Sequence, residues 1–283
     1  MKPVVDSFWR AAAYCLHPRV IGLSLLPLVA MSAAALLIGY FAWQPVLAWM
    51  EAALSSWWPW ATLGKWLAVV GLGGVLAPFL VVLIATPLIV LAALVVVATV
   101  MTPALVNLVE QRRFPTLERR HGGSFILGAL GAMGGSIAAL AVLLLSVPLW
   151  FIPPLVLIIP PLIWGWLTYR VMTYDVLADH AGRAERQTLI RMHRSQLLLM
   201  GIVCGYLGAA PSVVWASGLL FIALAPLLIP LAIWIYTLVF AFSALWFAHY
   251  ALTALDQLRA AARMPPEPTL PASLDPLHVV PQS

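Results

Sequence analysis

Long unbroken stretches of uncharged apolar residues constrain this chain more than any other feature. The run VVLIATPLIVLAALVVVATVM, from Val81 to Met101, is 21 residues long, and a helix needs only about 20 such residues to cross the hydrocarbon core of a bilayer. In lipid every backbone N–H and C=O must be paired inside a helix or a closed barrel. Barrel strands would read as alternating segments of about 10 residues, whereas these runs are continuous. Over the chain 63% of residues are hydrophobic and 9% are charged, with a mean hydropathy of +1.00. A water-soluble protein could not cover that surface. The expected fold is all-α: a polytopic helical membrane protein with about six hydrophobic segments, some of which can be re-entrant hairpins, and an amphipathic N-terminal helix.

The charges are few and gathered. Most of the 15 lysines and arginines stand at the N-terminus, in the loops 107–124 and 178–194, and at Arg259 and Arg263, between or beyond apolar runs. That is the pattern that keeps basic loops on the cytoplasmic side of a membrane, and it requires no nucleic-acid partner. It predicts a multi-pass protein of the cell inner membrane with both termini cytoplasmic and an even number of crossings between the basic loops. Cys15 and Cys204 stand beside or within apolar runs, which argues against a disulfide framework, and no spacing suggests a metal. The first apolar run is too long for a cleavable signal and reads as a retained span.

Residues 3–17 suggest an amphipathic helix capped by Asp6 or Ser7, with Phe8, Ala12, Cys15 and Leu16 on one apolar stripe and Arg10 facing headgroups. Span one is expected from Val20 to Trp43. Residues 44–70, with Glu51, Lys65, Trp49, Trp57, Trp58, Trp60 and Trp66, read as an interfacial helix or loop, since tryptophan concentrates at headgroup depth. Span two covers Gly74 to Thr102, with Pro78 and Pro87 expected to tilt or kink it. Span three covers Phe125 to Ser146, with small residues at Ser124, Gly128, Ala132 and Ser136, beside Gly131 and Gly135, forming a seam for helix packing. Prolines 148, 153, 154, 160 and 161 predict a broken or re-entrant element followed by a helix from Pro161 to Leu177. The last apolar block, Leu197 to Leu255, is expected to break at Pro211, Pro226 and Pro230 and to carry a second small-residue seam at Gly201, Gly205 and Ala209. Residues 1–263 then form one integral membrane domain, and 264–283 a proline-rich disordered tail.

Candidate sites are sparse. Arg19, with the backbone N–H groups of Arg19, Val20 and Ile21, stands at the start of span one, where the unpaired donors and the helix dipole favour an anion. The same arginine also suffices as a topology-setting residue. Arg170 lies within a span with Tyr169, Tyr174 and Asp175 nearby, and intramembrane charges mark pathways or buried pairs, so Arg170 and Asp175 are candidate pathway-lining residues. His249 and Tyr250 form either a proton relay or a structural pair. Gly71–Gly74 is not a nucleotide loop. With no Walker motif, nucleophile elbow or zinc box, neither an enzyme nor a cofactor is indicated.

Several stretches together resemble a known family: FWRAAAYCLHPRVIGLSLLPLV at the start, the proline-broken SVPLWFIPPLVLIIPP, the exit TYDVLADH with Asp175, Asp179 and His180, and RAERQTLIRMHR before the last hairpin. They are similar to the CysZ sulfate-permease and etoposide-induced-protein-like membrane proteins across residues 7–257. That resemblance implies a helical inner-membrane protein with cytoplasmic ends, partly inserted helical hairpins and homo-oligomers. It also implies a permease for a small anion such as sulfate, the alternative being a non-transporting scaffold or assembly factor in the lipid bilayer. The family's Gly-x-Arg-type motif at the first membrane helix corresponds to His17-Pro18-Arg19-Val20-Ile21-Gly22, which keeps one arginine but lacks the preceding glycine and the second cation.

Overall fold

The computed structural model describes residues 2–56, 69, 74–120, 122–209 and 219–263, and the described residues contain helices and no strand. In chain order the helices are α1 (Lys2–Cys15), α2 (Pro18–Leu37), α3 (Trp43–Ser56), α4 (Leu76–Val96), α5 (Thr102–Arg113), α6 (Phe125–Ser146), α7 (Pro153–Ala178), α8 (Arg183–Met192), α9 (Arg194–Ala209) and α10 (Leu219–Arg263). Among the described residues, four stretches are long and apolar enough to cross a membrane: Pro18–Ser56, Ile126–Phe151, Pro154–Ala178 and Leu227–Arg263. The chain is a polytopic helical membrane protein. The tail beyond residue 263 lies outside the described residues, as do Trp57, Trp58, Trp60, Trp66 and Pro211.

Prolines bend the local geometry less than the sequence suggests. Trp43–Ser56 does not lie along a membrane surface as a separate segment. It continues α2 through a π-helical turn at Ile38–Ala42, making one helical run of 39 residues. A second π turn at Val97–Met101 joins α4 to α5. Each π turn immediately precedes a helix with proline in its first turn, Pro45 and Pro103. The missing proline N–H leaves a carbonyl one turn back without its partner, and a widened turn accommodates that mismatch. α7 starts at Pro153 rather than Pro161, because prolines at the first helical positions forfeit only N–H groups that no helix would bond. The chain reverses before it, in the 3₁₀ turn Val147–Phe151. α10 runs unbroken through Pro226 and Pro230 for 45 residues, roughly 68 Å, so it extends well beyond a hydrocarbon core of about 30 Å. In a membrane a helix tolerates proline because no water competes for the remaining backbone bonds.

The helices pair as α2–α3 against α4, α6 against α7, and α7 most extensively against α9, while α10 packs along α1, α2, α5 and α7 and more lightly on α9. The main core sits at one end, around the C-terminal half of α10. Leu245, Phe247, Leu252 and Leu255 are fully buried there with Met101, Leu105, Val109, Leu177 and Met200. Away from that end the apolar side chains of α6, such as Leu130, Ile137 and Leu145, are exposed, as befits a helix facing lipid.

α1 is amphipathic, but its inner face is set by Val4, Ser7 and Ala11, and it rests on α10. Trp246 donates its indole N–H to the Val4 carbonyl (3.0 Å) and sits 3.2 Å from Ser7 Oγ. Leu16, expected on the apolar stripe, is 79% exposed. Asp6 and Ser7 lie inside the helix rather than capping it; Ser7 Oγ donates to the Pro3 and Val4 carbonyls. The reason is that the helix starts at Lys2, four residues earlier than the cap that Asp6 would supply.

The small-residue seams are where α7 meets its neighbours. A Cβ added at Gly205 would lie 2.5 Å from the Pro161 carbonyl oxygen, and one at Gly165 would lie 2.6 Å from Ile202 Cα. The α7 and α9 backbones therefore touch, which only glycine permits. On α6, Gly128 faces the Tyr174 ring and Gly135 faces Leu167, while Gly131 meets open space and Ala209 on α9 is exposed.

Candidate functional site

The four polar segments, spread along the chain, converge at one end of the bundle. There they form two clusters. The first is built where α1, α2 and α5 meet. Pro18 opens α2, and His17 caps it with an extended backbone. His17 Nδ1 accepts from the Arg19 N–H (3.2 Å), and the His17 carbonyl accepts from Val20 (2.9 Å) and Ile21 (3.1 Å). Of the three backbone donors expected to receive an anion, those of Val20 and Ile21 are thus engaged by the His17 carbonyl, and that of Arg19 faces His17 Nδ1. Val20 is fully buried, while the Arg19 side chain stays exposed.

The other face of the same imidazole meets the chain 95 residues later: Arg112 Nη2 is 2.8 Å from His17 Nε2. A neutral imidazole has one acceptor nitrogen. The Arg19 N–H and the Arg112 guanidinium both only donate, so His17 can serve one of them at a time, and the other faces a proton. Arg112 also lies 6.0 Å over the Tyr14 ring. Arg113 beside it is 4.0 Å from Asp6 and 3.5 Å from His249 Nδ1. Burial and the nearby Arg10 push the Arg113 pKa down, a sign of crowded positive charge, although a guanidinium keeps its proton. Asp6 is committed first to Arg10, at 2.8 Å, and that hydrogen bond holds its carboxyl below the usual range. Four arginines and a histidine here meet one carboxylate.

A cavity of about 50 Å³ adjoins this cluster, lined by Asp6, Ser7, Arg113, His193, Tyr250 and Gln257, among others. His249 and Tyr250 are not partners in a relay. His249 is buried edge-on against Tyr14 and turns Nδ1 to Arg113, while Tyr250 Oη is 2.9 Å from His193 Nδ1. Burial lowers the pKa of His193.

The second cluster is balanced by acids. Arg119 donates Nε–H to Glu110 (2.8 Å) and Nη2–H to Asn107 (2.9 Å), and His180 Nε2 lies 3.1 Å from the same Glu110 carboxylate. Arg119's hydrogen bonds hold the Glu110 carboxyl below the usual carboxylate range. Glu185 reaches back to the Gly182 N–H (2.8 Å) at the start of α8 and receives Arg120 (2.9 Å) and Arg259 (3.0 Å from Nε and 3.0 Å from Nη2). Arg259 also donates to the Glu118 carbonyl (2.8 Å) and the His180 carbonyl (2.7 Å). It holds Glu185's pKa down. This clamp ties the 114–124 loop, the 178–183 turn and the end of α10 together.

Arg170 and Asp175, expected to line a pathway, both lie on exposed surface of α7. Arg170 stacks over Trp166 one turn earlier, at 5.1 Å, and the ion pairs among the described residues do not join it to Asp175. Sequence reasoning picked out Arg19 but missed His17, Arg112 and the clamp acids Glu110 and Glu185. The signal available for them was thin: a histidine before a proline, and lone glutamates in arginine-rich loops.

Residues 7–217 match the family model described as "Sulfate transporter CysZ/Etoposide-induced protein 2.4". No curated protein and no solved structure matches the chain. A match over that much of its length shows that the chain belongs to the CysZ/etoposide-induced protein 2.4 family.

Proposed function

We propose that this CysZ-family membrane protein is a permease for a small anion, with sulfate the candidate substrate, and that the basic cluster of Arg19, Arg112 and Arg113 is its anion-collecting mouth. The observation that carries the reading is the imbalance at His17: two donors compete for one imidazole acceptor, with arginines around them and a single, already paired carboxylate. An oxyanion between the Arg19 and Arg112 side chains would supply the acceptor that the imidazole lacks, through charge-assisted bonds that arginine makes in pairs. The side chains carry the site in this reading, since the Val20 and Ile21 N–H groups bond the His17 carbonyl. The charged end is then cytoplasmic in the inner membrane, as the distribution of basic loops favours, and the protein works as a homo-oligomer in the lipid bilayer, with Arg170 and Asp175 on the surface that faces lipid or another copy.

A second reading is favoured by a specific observation. The spans carry few polar side chains, and backbone contacts through Gly165, Gly201 and Gly205 pack α7 against α9 with no room for a solute between them. That suits a non-transporting scaffold. Sulfate uptake into liposomes reconstituted with the purified chain separates the two. The permease reading expects uptake above empty liposomes, falling at least about tenfold in Arg19→Ala, the loss of a charge-assisted contact. Uptake equal to that of empty liposomes, from inserted and monodisperse protein, would leave the scaffold.

A further inference from the structure

A buried arginine on the opposite side of the clamp has no counter-charge. Arg186, on α8, is 9% exposed. Its guanidinium carbon lies 4.6 Å over the Tyr174 ring of α7. Its Nη1 is inaccessible and has no acceptor, and no ion pair among the described residues includes it. The acids of the clamp are occupied: Glu185 by Arg120, Arg259 and the Gly182 N–H, and Glu110 by Arg119 and His180.

Arginine cannot escape burial by losing its proton. A buried charge without a partner is costly, and a stack on tyrosine offsets only part of that cost. Arg259, buried to a similar degree, shows what satisfaction requires here: a carboxylate held by two nitrogens and two carbonyls besides. The place of Arg186 suggests where its missing partner comes from. Tyr174 stands one turn before the end of the membrane-length α7 and donates its hydroxyl to the Ser124 carbonyl (3.0 Å) at the start of α6. That is the depth of headgroups and of the adjacent water. Arg183, three residues before Arg186 and therefore on a neighbouring face of the same helix, is exposed and offers a second cation on the outer side.

We propose that Arg186, backed by Tyr174 and assisted by Arg183, is an oxyanion-binding site whose ligand is a phosphate or sulfate group, either as the free ion or as the phosphate of an anionic lipid. The planar guanidinium fork matches such a group bidentately. The site is separate from the cluster at Arg19 and does not depend on the permease reading.

Thermal unfolding of the full chain in neutral detergent tests it, at matched ionic strength in three media: chloride buffer, millimolar phosphate, and micelles doped with phosphatidylglycerol against a phosphatidylcholine control. Wild type should gain about 3 °C or more in phosphate or in the phosphatidylglycerol micelles. A gain in phosphate assigns the free ion, and a gain confined to the doped micelles assigns the lipid. Because the Arg19 cluster would also take phosphate in the permease reading, the comparison is made in the Arg19→Ala background, where Arg186→Met should show neither gain. In chloride Arg186→Met should unfold at or above the midpoint of its parent, because an unpaired buried charge has been replaced by an apolar group of similar length. Arg186→Lys, which keeps the charge but not the fork, should keep less than half of the gain and serves if the methionine variant does not fold. A wild type that gains in neither medium, or variants that gain as much as their parent, would overturn the site. The Arg19→Ala parent should itself gain in phosphate or in the phosphatidylglycerol micelles, so failure here is distinct from failure of the permease reading.

Discussion

Arg259 and Arg112 both stand near helix ends at the charged end of the bundle, yet their surroundings differ in kind. Arg259 is locked: each of its three guanidinium nitrogens meets a carboxylate or a carbonyl, and three chain segments are fastened through it. Arg112 is exposed and meets an imidazole already engaged on its other side. The clamp has nothing left to offer a ligand. The foot of α2 has donors left over. Two arginine-rich regions of similar composition are therefore suited to different tasks, and the difference lies in whether acids from distant parts of the chain arrive beside them.

Truncating the clamp should give the largest effect. Arg259→Ala removes the doubly bonded partner of Glu185, which keeps Arg120 and the Gly182 N–H, and leaves two carbonyls unbonded. Breaking a buried pair costs about 3–5 kcal/mol when nothing replaces it, and the remaining contacts put the expected loss at about 3 kcal/mol, readable as a lowered unfolding midpoint in detergent. A loss below about 1 kcal/mol would put the clamp on a par with an exposed ion pair and dissolve the contrast. Acid should come next and act on the same cluster. Glu110 and Glu185 have depressed pKa values in the folded chain. Their stabilisation is therefore complete above the ordinary glutamate value of about 4.3 and is lost as pH falls through the lower folded values. Burial lowers the pKa of His193, which adds a loss of the same sign beginning near pH 6.5. Midpoints measured across the acid range should fall in wild type, most steeply below pH 4.3, and a flat profile there would contradict the clamp. The smallest effect on stability should come from Arg112→Ala, within about 0.5 kcal/mol, as for an exposed side chain. The same variant should lower sulfate uptake, and unchanged uptake with unchanged stability would leave the foot of α2 without a role.

How much of this was written plainly in the sequence depended on range. α6 could be read to the residue, because Ser124 precedes a clean apolar run and Pro148 follows it. The start of α2 was read at Val20, two residues past the Pro18 that opens it. The glycines at 201 and 205 announced a close seam, although nothing local said that Gly165 would be the backbone they meet. Prolines misled in a consistent direction. Pro160, Pro161, Pro226 and Pro230 were read as breaks or boundaries, but a helix with no competing water keeps its other bonds, and ahead of Pro45 it widens by a π turn. The candidate site was legible at Arg19 alone. Its geometry depends on a partner 95 residues away, and the clamp joins residues separated by 65, 74 and 79 positions. No period or spacing encodes pairs at that range.

The clamp also sets an order of manufacture. Glu110, Arg119, Arg120, His180 and Glu185 all emerge from the ribosome before Arg259, which follows Glu185 by 74 residues. At about 5–20 residues per second, Glu185 waits on the order of ten seconds for its principal partner. Throughout that interval the earlier hairpins can be inserted while the charged end remains unfastened. The bundle is latched by one of the last residues of its final helix, so a chain that stalls or is cut before position 259 keeps that end unfastened.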